Sequence, residues 1–317
     1  FLFIFFSAIS CKDNSEGFII ELKSSQNEII VGSSIVFSVV DNSGEDLTSE
    51  SNFYVDGQII SGNSFSFNNS GEVDIYAIYN NITTETITIT VNDPPIYFEK
   101  YVMVEDFTGT WCGWCPRVSE AVRLLKQETS DAIVVAIHNG DAMQFSQEGA
   151  IRQAFNVTGF PTALINRQER WASPQPSNVA QVTGKMSGKS YASIAMESRV
   201  EGDGLYLNVK VKMGYSYKSM KLAVYMLEDG LIYDQRNFTS YYGGADPIRD
   251  FVHDDVLRRS LTNVFGDNIP SDEVGHGKTY SRDFEYAIPG MYDKSKIKLV
   301  AFVTTGEDRS IVNVRQS

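Results

Sequence analysis

Trp111-Cys112-Gly113-Trp114-Cys115-Pro116 decides how this chain is read. Two cysteines stand two residues apart. A near-continuous apolar run, Tyr101 to Phe107, leads into them, and Val118, Ala121, Val122 and Leu125 follow at helical spacing. The pattern predicts a strand, a short turn and a helix carrying the Cys-x-x-Cys pair at its first turn. Thiols so spaced can close a disulfide with little backbone movement. A thiol at a helix N-terminus meets unpaired N–H groups and the positive end of the dipole, which favour the nucleophilic thiolate. Cys112, nearer the helix start, is the expected nucleophile and the more exposed of the pair. Cys115, one turn further in, is the expected resolving thiol. The competing uses are a structural disulfide or half of a metal site. A disulfide closing so short a loop constrains the unfolded chain little. Zinc takes about four ligands, and the three histidines, His138, His253 and His276, lack the spacing to complete a site. No metal is expected, and these histidines read as packing or surface residues.

The run from Val104-Glu105-Asp106-Phe107 through Pro116 resembles the active-site strand and helix of the thioredoxin family. Downstream, Val157-Thr158-Gly159-Phe160-Pro161-Thr162 resembles that family's cis-proline loop. The resemblance spans about residues 97–190 and carries several expectations. Asp106 matches the position of a buried acid; burial raises a carboxyl's pKa, so it could take the proton of Cys115 during resolution. Glu105 points to the opposite face and is the fallback. Pro161 is expected in cis beside the sulfurs, leaving Phe160 backbone groups to pair with an extended substrate; the alternative is an ordinary trans turn proline. Trp111 and Trp114 flank the cysteines and offer apolar contact to substrate, or pack on their own domain. The implied cofactor is none beyond the redox-active Cys112–Cys115 pair. Gly113-Trp114 departs from thioredoxin's Gly-Pro and lacks the histidine of strongly oxidising relatives, which leans toward reductase or isomerase.

A chain of 317 residues is long enough for two or three domains. Its 42% apolar and 21% charged content suits globular domains with real cores. A formal net charge of −13 argues against nucleic acid or anionic membrane as an electrostatic partner. The third cysteine, Cys11, follows the apolar run Phe1–Phe6 and the small residues Ser7, Ala8 and Ser10. That run is shorter than the ~20 residues a membrane span needs. It reads as the tail of a secretory signal, and a cysteine after the small residues resembles a bacterial lipoprotein signal, in which the new N-terminal cysteine carries lipid. The expectation is an exported lipoprotein of the outer membrane, on its periplasmic face or at the cell surface.

The expected fold is multidomain. Residues 1–10 are the signal tail and 11–17 a polar tether. Between 18 and 93, period-two alternation (Ile35, Phe37, Val39; Ile87, Ile89, Val91) and turns such as Asp56-Gly57 predict a β-sandwich resembling bacterial immunoglobulin-like modules. Asp93-Pro94-Pro95 is a linker. Residues 96–189 form the α/β thioredoxin-like domain. Residues 190–317 return to strands, including the alternating Leu205–Met213 run, and predict a β-sandwich-like domain with a helical insertion from Pro247 to Leu261. Asp246, Asp250, Asp254 and Asp255 then fall on a solvated helix face, without calcium-ligand spacing. Glu228-Asp229-Gly230-Leu231-Ile232 and His253-Asp254-Asp255-Val256-Leu257-Arg258 resemble segments of a surface-lipoprotein group, the twenty-eight-kilodalton outer membrane protein family.

Two functional readings follow. The first is a lipid-anchored extracytoplasmic thiol–disulfide oxidoreductase. Its partners would be protein thiols or disulfides and a redox donor or acceptor protein, and Cys11 would hold it to the membrane. The second is a surface binding or adhesion lipoprotein that keeps a thioredoxin-like scaffold.

Overall fold

The computed structural model describes residues 18–305 and 309–317. Cys11, the signal tail 1–10 and the tether 11–17 lie outside the described residues. The chain divides into two compact units, Phe1–Pro94 and Pro95–Ser317, and the break falls inside the expected Asp93-Pro94-Pro95 linker.

The first unit is built from two sheets. One orders Ile20–Ser24, Ser34–Asp41 and Ser64–Ser66; the other, six-stranded, centres on Gly71–Tyr79 and Ile87–Asn92. Alternation does the work predicted for it. Ile35, Phe37 and Val39 from one sheet share a core with Phe53, Ile75, Ala77, Ile89 and Val91 from the other. The Asn52–Val55 and Gln58–Ile59 strands are joined by Asp56 and Gly57, both at positive φ (46° and 78°), the backbone a two-residue hairpin demands.

The second unit is organised by one nine-stranded sheet. Val102–Thr108 runs down its thioredoxin-like part, parallel to Ala132–His138 and antiparallel to Thr162–Ile165. Every residue of the first two strands is buried, so each reads as a continuous apolar run rather than an alternating one. Beyond Ala132–His138 the sheet continues without a break. Val256–Ser260 joins it in parallel through Ala136 and Val256, and Met220–Glu228, Ile297–Thr305 and Ile311–Gln316 follow antiparallel. The expected boundary at 189/190 falls within this unit.

Over the far end of the sheet lies a three-stranded sheet of Ala192–Glu201, Gly204–Met213 and Thr279–Ala287. Leu205, Leu207, Val209 and Val211 pack against Leu222, Val224, Met226 and Val303 to make a sandwich core. On the opposite face, Tyr225 and Phe302 share a cluster with Met103, Phe107, Val135 and Ile137 from the thioredoxin-like end.

The helix expected from Pro247 to Leu261 is absent. Ile248–His253 and Val256–Ser260 are strands, separated by a turn in which Asp255 takes a left-handed φ of 58°. Short apolar runs fit helix and strand alike. Here tertiary pairing decides, because Val256–Ser260 sits between two existing strands of the sheet. The aspartates therefore lie on no helix face. Asp255 is buried between Lys126 and Lys298, and Asp246 pairs with Arg236 at 3.1 Å.

A buried ion pair in the thioredoxin-like part of the sheet reaches across to the Met220–Glu228 strand. Arg167 donates to Glu105 through Nε (2.9 and 3.1 Å) and Nη2 (2.7 Å), and to the Tyr225 hydroxyl at 2.9 Å. Its guanidinium lies over the rings of Phe155 and Phe302. Arg167→Met should strand the Glu105 carboxylate and cost about 3–5 kcal/mol, seen as a lower urea midpoint at unchanged slope. Adding Glu105→Leu should recover most of the loss; equal losses for the single and double variants would contradict this.

Candidate redox site and its cleft

The Val102–Thr108 strand delivers the chain through Gly109 and Thr110 to the Cys-x-x-Cys turn. Cys112 and Cys115 form a disulfide with their Cα atoms 5.4 Å apart. The regular helix begins one residue later than Cys115, at Pro116, a favoured first helical residue because its missing N–H would have no partner there. Cys115 takes the cap position and Cys112 lies in the preceding turn, its carbonyl accepting from Cys115 N at 3.1 Å. This corrects the expectation that the pair lies within the first turn of the helix. Both cysteines are buried, at 4% and 1% exposure for Cys112 and Cys115.

Aromatic residues rim the pair. Trp111 is half exposed, donates its indole N–H to Asn139 O at 2.7 Å, and meets Phe160 edge-on at 5.4 Å between centroids. Gly109 makes room for it: a Cβ there would lie 2.7 Å from the indole nitrogen. The Phe160–Pro161 bond is cis, and Thr162 pairs with Phe107 in register, which sets the proline loop beside the end of the redox strand. Trp114 is also half exposed and meets Phe238, a residue of the C-terminal half, at 6.1 Å.

Asp106 and Glu105 separate by strand alternation. Glu105 is consumed by Arg167, so it is not free to serve the cysteines. Asp106 shares the side of the sheet on which Val102 and Val104 pack against Val118, Ala121 and Leu125 of the helix. It is buried, its Oδ1 has no hydrogen-bond partner, and desolvation pushes its pKa up to about 7.

Asp106 opens on a cleft of about 440 Å³ between the helix, the sheet and the Leu231–Gln235/Ile248–His253 hairpin. His138 and His253 line the same cleft, their rings 5.1 Å apart. His138 Nδ1 bonds to Asp141 Oδ2 at 2.8 Å. Against the desolvation that would raise it, that bond and those from Thr110 and Met143 N–H hold Asp141 below the usual carboxylate range. Burial, helped by His138, pushes His253 down to about 4, so it is neutral at neutral pH; its Nε2 has no partner. Reading the histidines as lone residues missed this pairing. A histidine closing an apolar strand with an aspartate three residues on signalled the His138–Asp141 bond, and nothing local signalled His253. Among the described residues no cluster of three or more His, Cys, Asp or Glu is arranged to hold a metal ion.

The strand, the disulfide turn, the helix and the cis Phe160–Pro161 loop define a thioredoxin-like domain, and the thioredoxin family model matches residues 84–188. The chain belongs to the outer membrane protein Omp28 family, whose model matches residues 148–317, more than half of it. Among solved structures it is similar to HBP35 of Porphyromonas gingivalis, at 20% identity over 69% of this chain and 75% of that one, with a TM-score of 0.57. That is a likeness of fold. A domain of the outer membrane lipoprotein Omp28 from Porphyromonas gingivalis aligns at 16% identity over 40% of this chain and 86% of that one, with a TM-score of 0.27, too low to bear on the fold. No curated protein matches the chain.

The raised pKa of Asp106 has a signed consequence. The folded state holds this proton more tightly than the unfolded state does, between the ordinary value of 3.8 and about 7. Its contribution is fully favourable below the unfolded value and is lost as pH rises through about 7. Arg123 and Lys126 of the helix, Arg249 and Asp250 of the Ile248–His253 strand, Asp254 and Asp255 of the turn after it, and the two histidines face the same cleft and are shared by wild type and variant. Asp106→Asn should therefore melt higher than wild type at pH 8, by an amount equivalent to a few kcal/mol, and converge with it near pH 4. Thermal unfolding across that range checks this; a constant difference at all pH values would contradict it.

Proposed function

We propose that this protein is a lipid-anchored thiol–disulfide oxidoreductase of the extracytoplasmic space, associated with the outer membrane and held there through Cys11. The observation that carries the reading is the Cys112–Cys115 disulfide, at the mouth of a helix between exposed aromatic residues. In the reduced protein, Cys112 thiolate attacks a substrate disulfide and expels one substrate thiolate, leaving a mixed disulfide. Cys115 then gives its proton to Asp106 and attacks Cys112 Sγ. The second substrate thiolate leaves, and two electrons have passed from the pair to the substrate. A carboxyl titrating near 7 is matched to that proton transfer.

The substrates are protein disulfides, and the Gly113-Trp114 dipeptide, lacking a histidine, favours reductase or isomerase action over strong oxidation. The bacterial periplasm is kept oxidising, so a reductase there draws electrons from a dithiol donor protein. The N-terminal sandwich, immunoglobulin-like in its strand pattern, holds neither of the redox cysteines and acts as a spacer.

Full-length protein should catalyse reduction of insulin disulfides by dithiothreitol. Cys112→Ser should abolish the reaction. Cys115→Ser should accumulate mixed disulfides through Cys112, visible on non-reducing gels, because attack proceeds and resolution fails. Equal reactivity of the two thiols with no trapped partner would overturn the enzyme reading and leave the binding-lipoprotein alternative. Cys11→Ala should release the protein from the membrane fraction; retention there would refute the anchor.

A further inference from the structure

The loop between the Leu231–Gln235 and Ile248–His253 strands crosses the redox turn and bonds to it along its length. Arg236 N donates to Thr110 O at 2.8 Å, and Phe238 N donates to Gly113 O at 2.7 Å. The buried Gln235 amide donates to Cys112 O at 3.0 Å and Gly109 O at 3.3 Å. Four carbonyls of the turn are thus occupied by one extended segment from the C-terminal half.

That segment is stiffened from within. The buried Asn237 amide donates to Tyr241 O and Ala245 O, both at 3.1 Å, and its Oδ1 accepts from Thr239 N at 2.9 Å. Asn237 N donates to Asp246 Oδ1 at 2.9 Å, and Asp246 also pairs with Arg236. Every polar group of the Asn237 side chain is used, so the backbone position of Phe238 is fixed.

Phe238 lies flat against Gly113, where a Cβ would overlap its ring, yet half of the residue remains exposed. Its edge contact with the equally exposed Trp114 makes a continuous apolar face beside the disulfide. The Arg236 guanidinium lies 5.5 Å from the ring centroid, so Phe238 is held between Gly113, Trp114 and a cation and still keeps half its surface open. Trp111 and Phe160 form a second aromatic pair at the same rim.

We infer that Phe238 is a specificity-determining residue of the redox site. With Trp114 it forms an apolar wall that favours polypeptide substrates carrying an apolar residue next to the reactive cysteine. This rests on the oxidoreductase reading. The electron balance is unchanged, because Phe238 contacts the neighbour of the substrate cysteine and takes no part in sulfur exchange.

The test uses pre-reduced full-length protein and two short peptides, each linked through its one cysteine to a nitrothiobenzoate reporter. The peptides differ only in Leu or Ser after the cysteine. Reaction oxidises Cys112 and Cys115 to the disulfide and releases peptide thiol and coloured nitrothiobenzoate thiol. Wild type should react faster with the Leu peptide by about tenfold, the worth of a modest apolar contact. Phe238→Ala should lose that preference while its rate on the Ser peptide stays within about twofold, and Phe238→Leu should keep it. Should Phe238→Ala not fold, Phe238→Gln, which keeps volume over Gly113, carries the same expectation. A preference unchanged by Phe238→Ala or Phe238→Gln, or both rates falling together, overturns the proposal and leaves the oxidoreductase reading standing. No reaction of wild type with either peptide removes both.

Discussion

Arg167 carries a full charge where no water reaches it, and the second unit is built around satisfying that charge. Burial works against the guanidinium, and Glu105 more than compensates, holding its pKa above the usual value. The three groups concerned come from distant places. Glu105 sits on the redox strand, Arg167 on the tight turn after Thr162–Ile165, and Tyr225 on a strand of the C-terminal half. Tyr225, pushed up to about 12 by burial, stays protonated and passes its own hydrogen to Val264 O at 2.6 Å. The Arg167 Nη1 has no hydrogen-bond partner, and the adjoining rings of Phe155 and Phe302 give the cation an electrostatic partner instead. Such an arrangement is expensive to break and tolerant of no register slip.

That constraint lies where the thioredoxin-like and C-terminal parts share a sheet. Two family models overlap on residues 148–188, where the Thr162–Ile165 strand and the Arg167 turn lie. Asn166 extends the same junction: its side chain accepts from Met103 N at 2.8 Å, and its carbonyl accepts from Ile311 N at 3.1 Å. The C-terminal half then reaches back over the Cys-x-x-Cys turn through Gln235, Arg236 and Phe238. That turn is completed by residues more than a hundred positions away in sequence. Engagement of Glu105 by Arg167 also leaves Asp106 as the acid of the strand that lines the cleft.

What the sequence disclosed follows the range of the forces involved. Local signals read well. Alternation at Ile35, Phe37 and Val39 became a sandwich face, Asp56-Gly57 became a hairpin turn, and the Tyr101–Phe107 run became the Val102–Thr108 strand, buried on both sides. The Cys112–Cys115 pair and the cis peptide at Pro161 came from a resemblance carried by two motifs. Long-range pairing was illegible. Ile248, Phe251 and Val252 fit a helical face, and only the vacant edge of Ala132–His138 makes Val256–Ser260 a strand. His138 and His253 meet because that strand docks there, and Gln235 and Phe238 have no sequence signal that ties them to Cys112.

Cys112–Cys115 is either a working couple or a staple. The decisive measurement is its reduction potential in the full-length protein, equilibrated against glutathione and dithiothreitol buffers. A catalytic pair should fall between about −270 and −120 mV, the range spanned by disulfide oxidoreductases. A value below about −300 mV, where structural disulfides lie, would contradict the account.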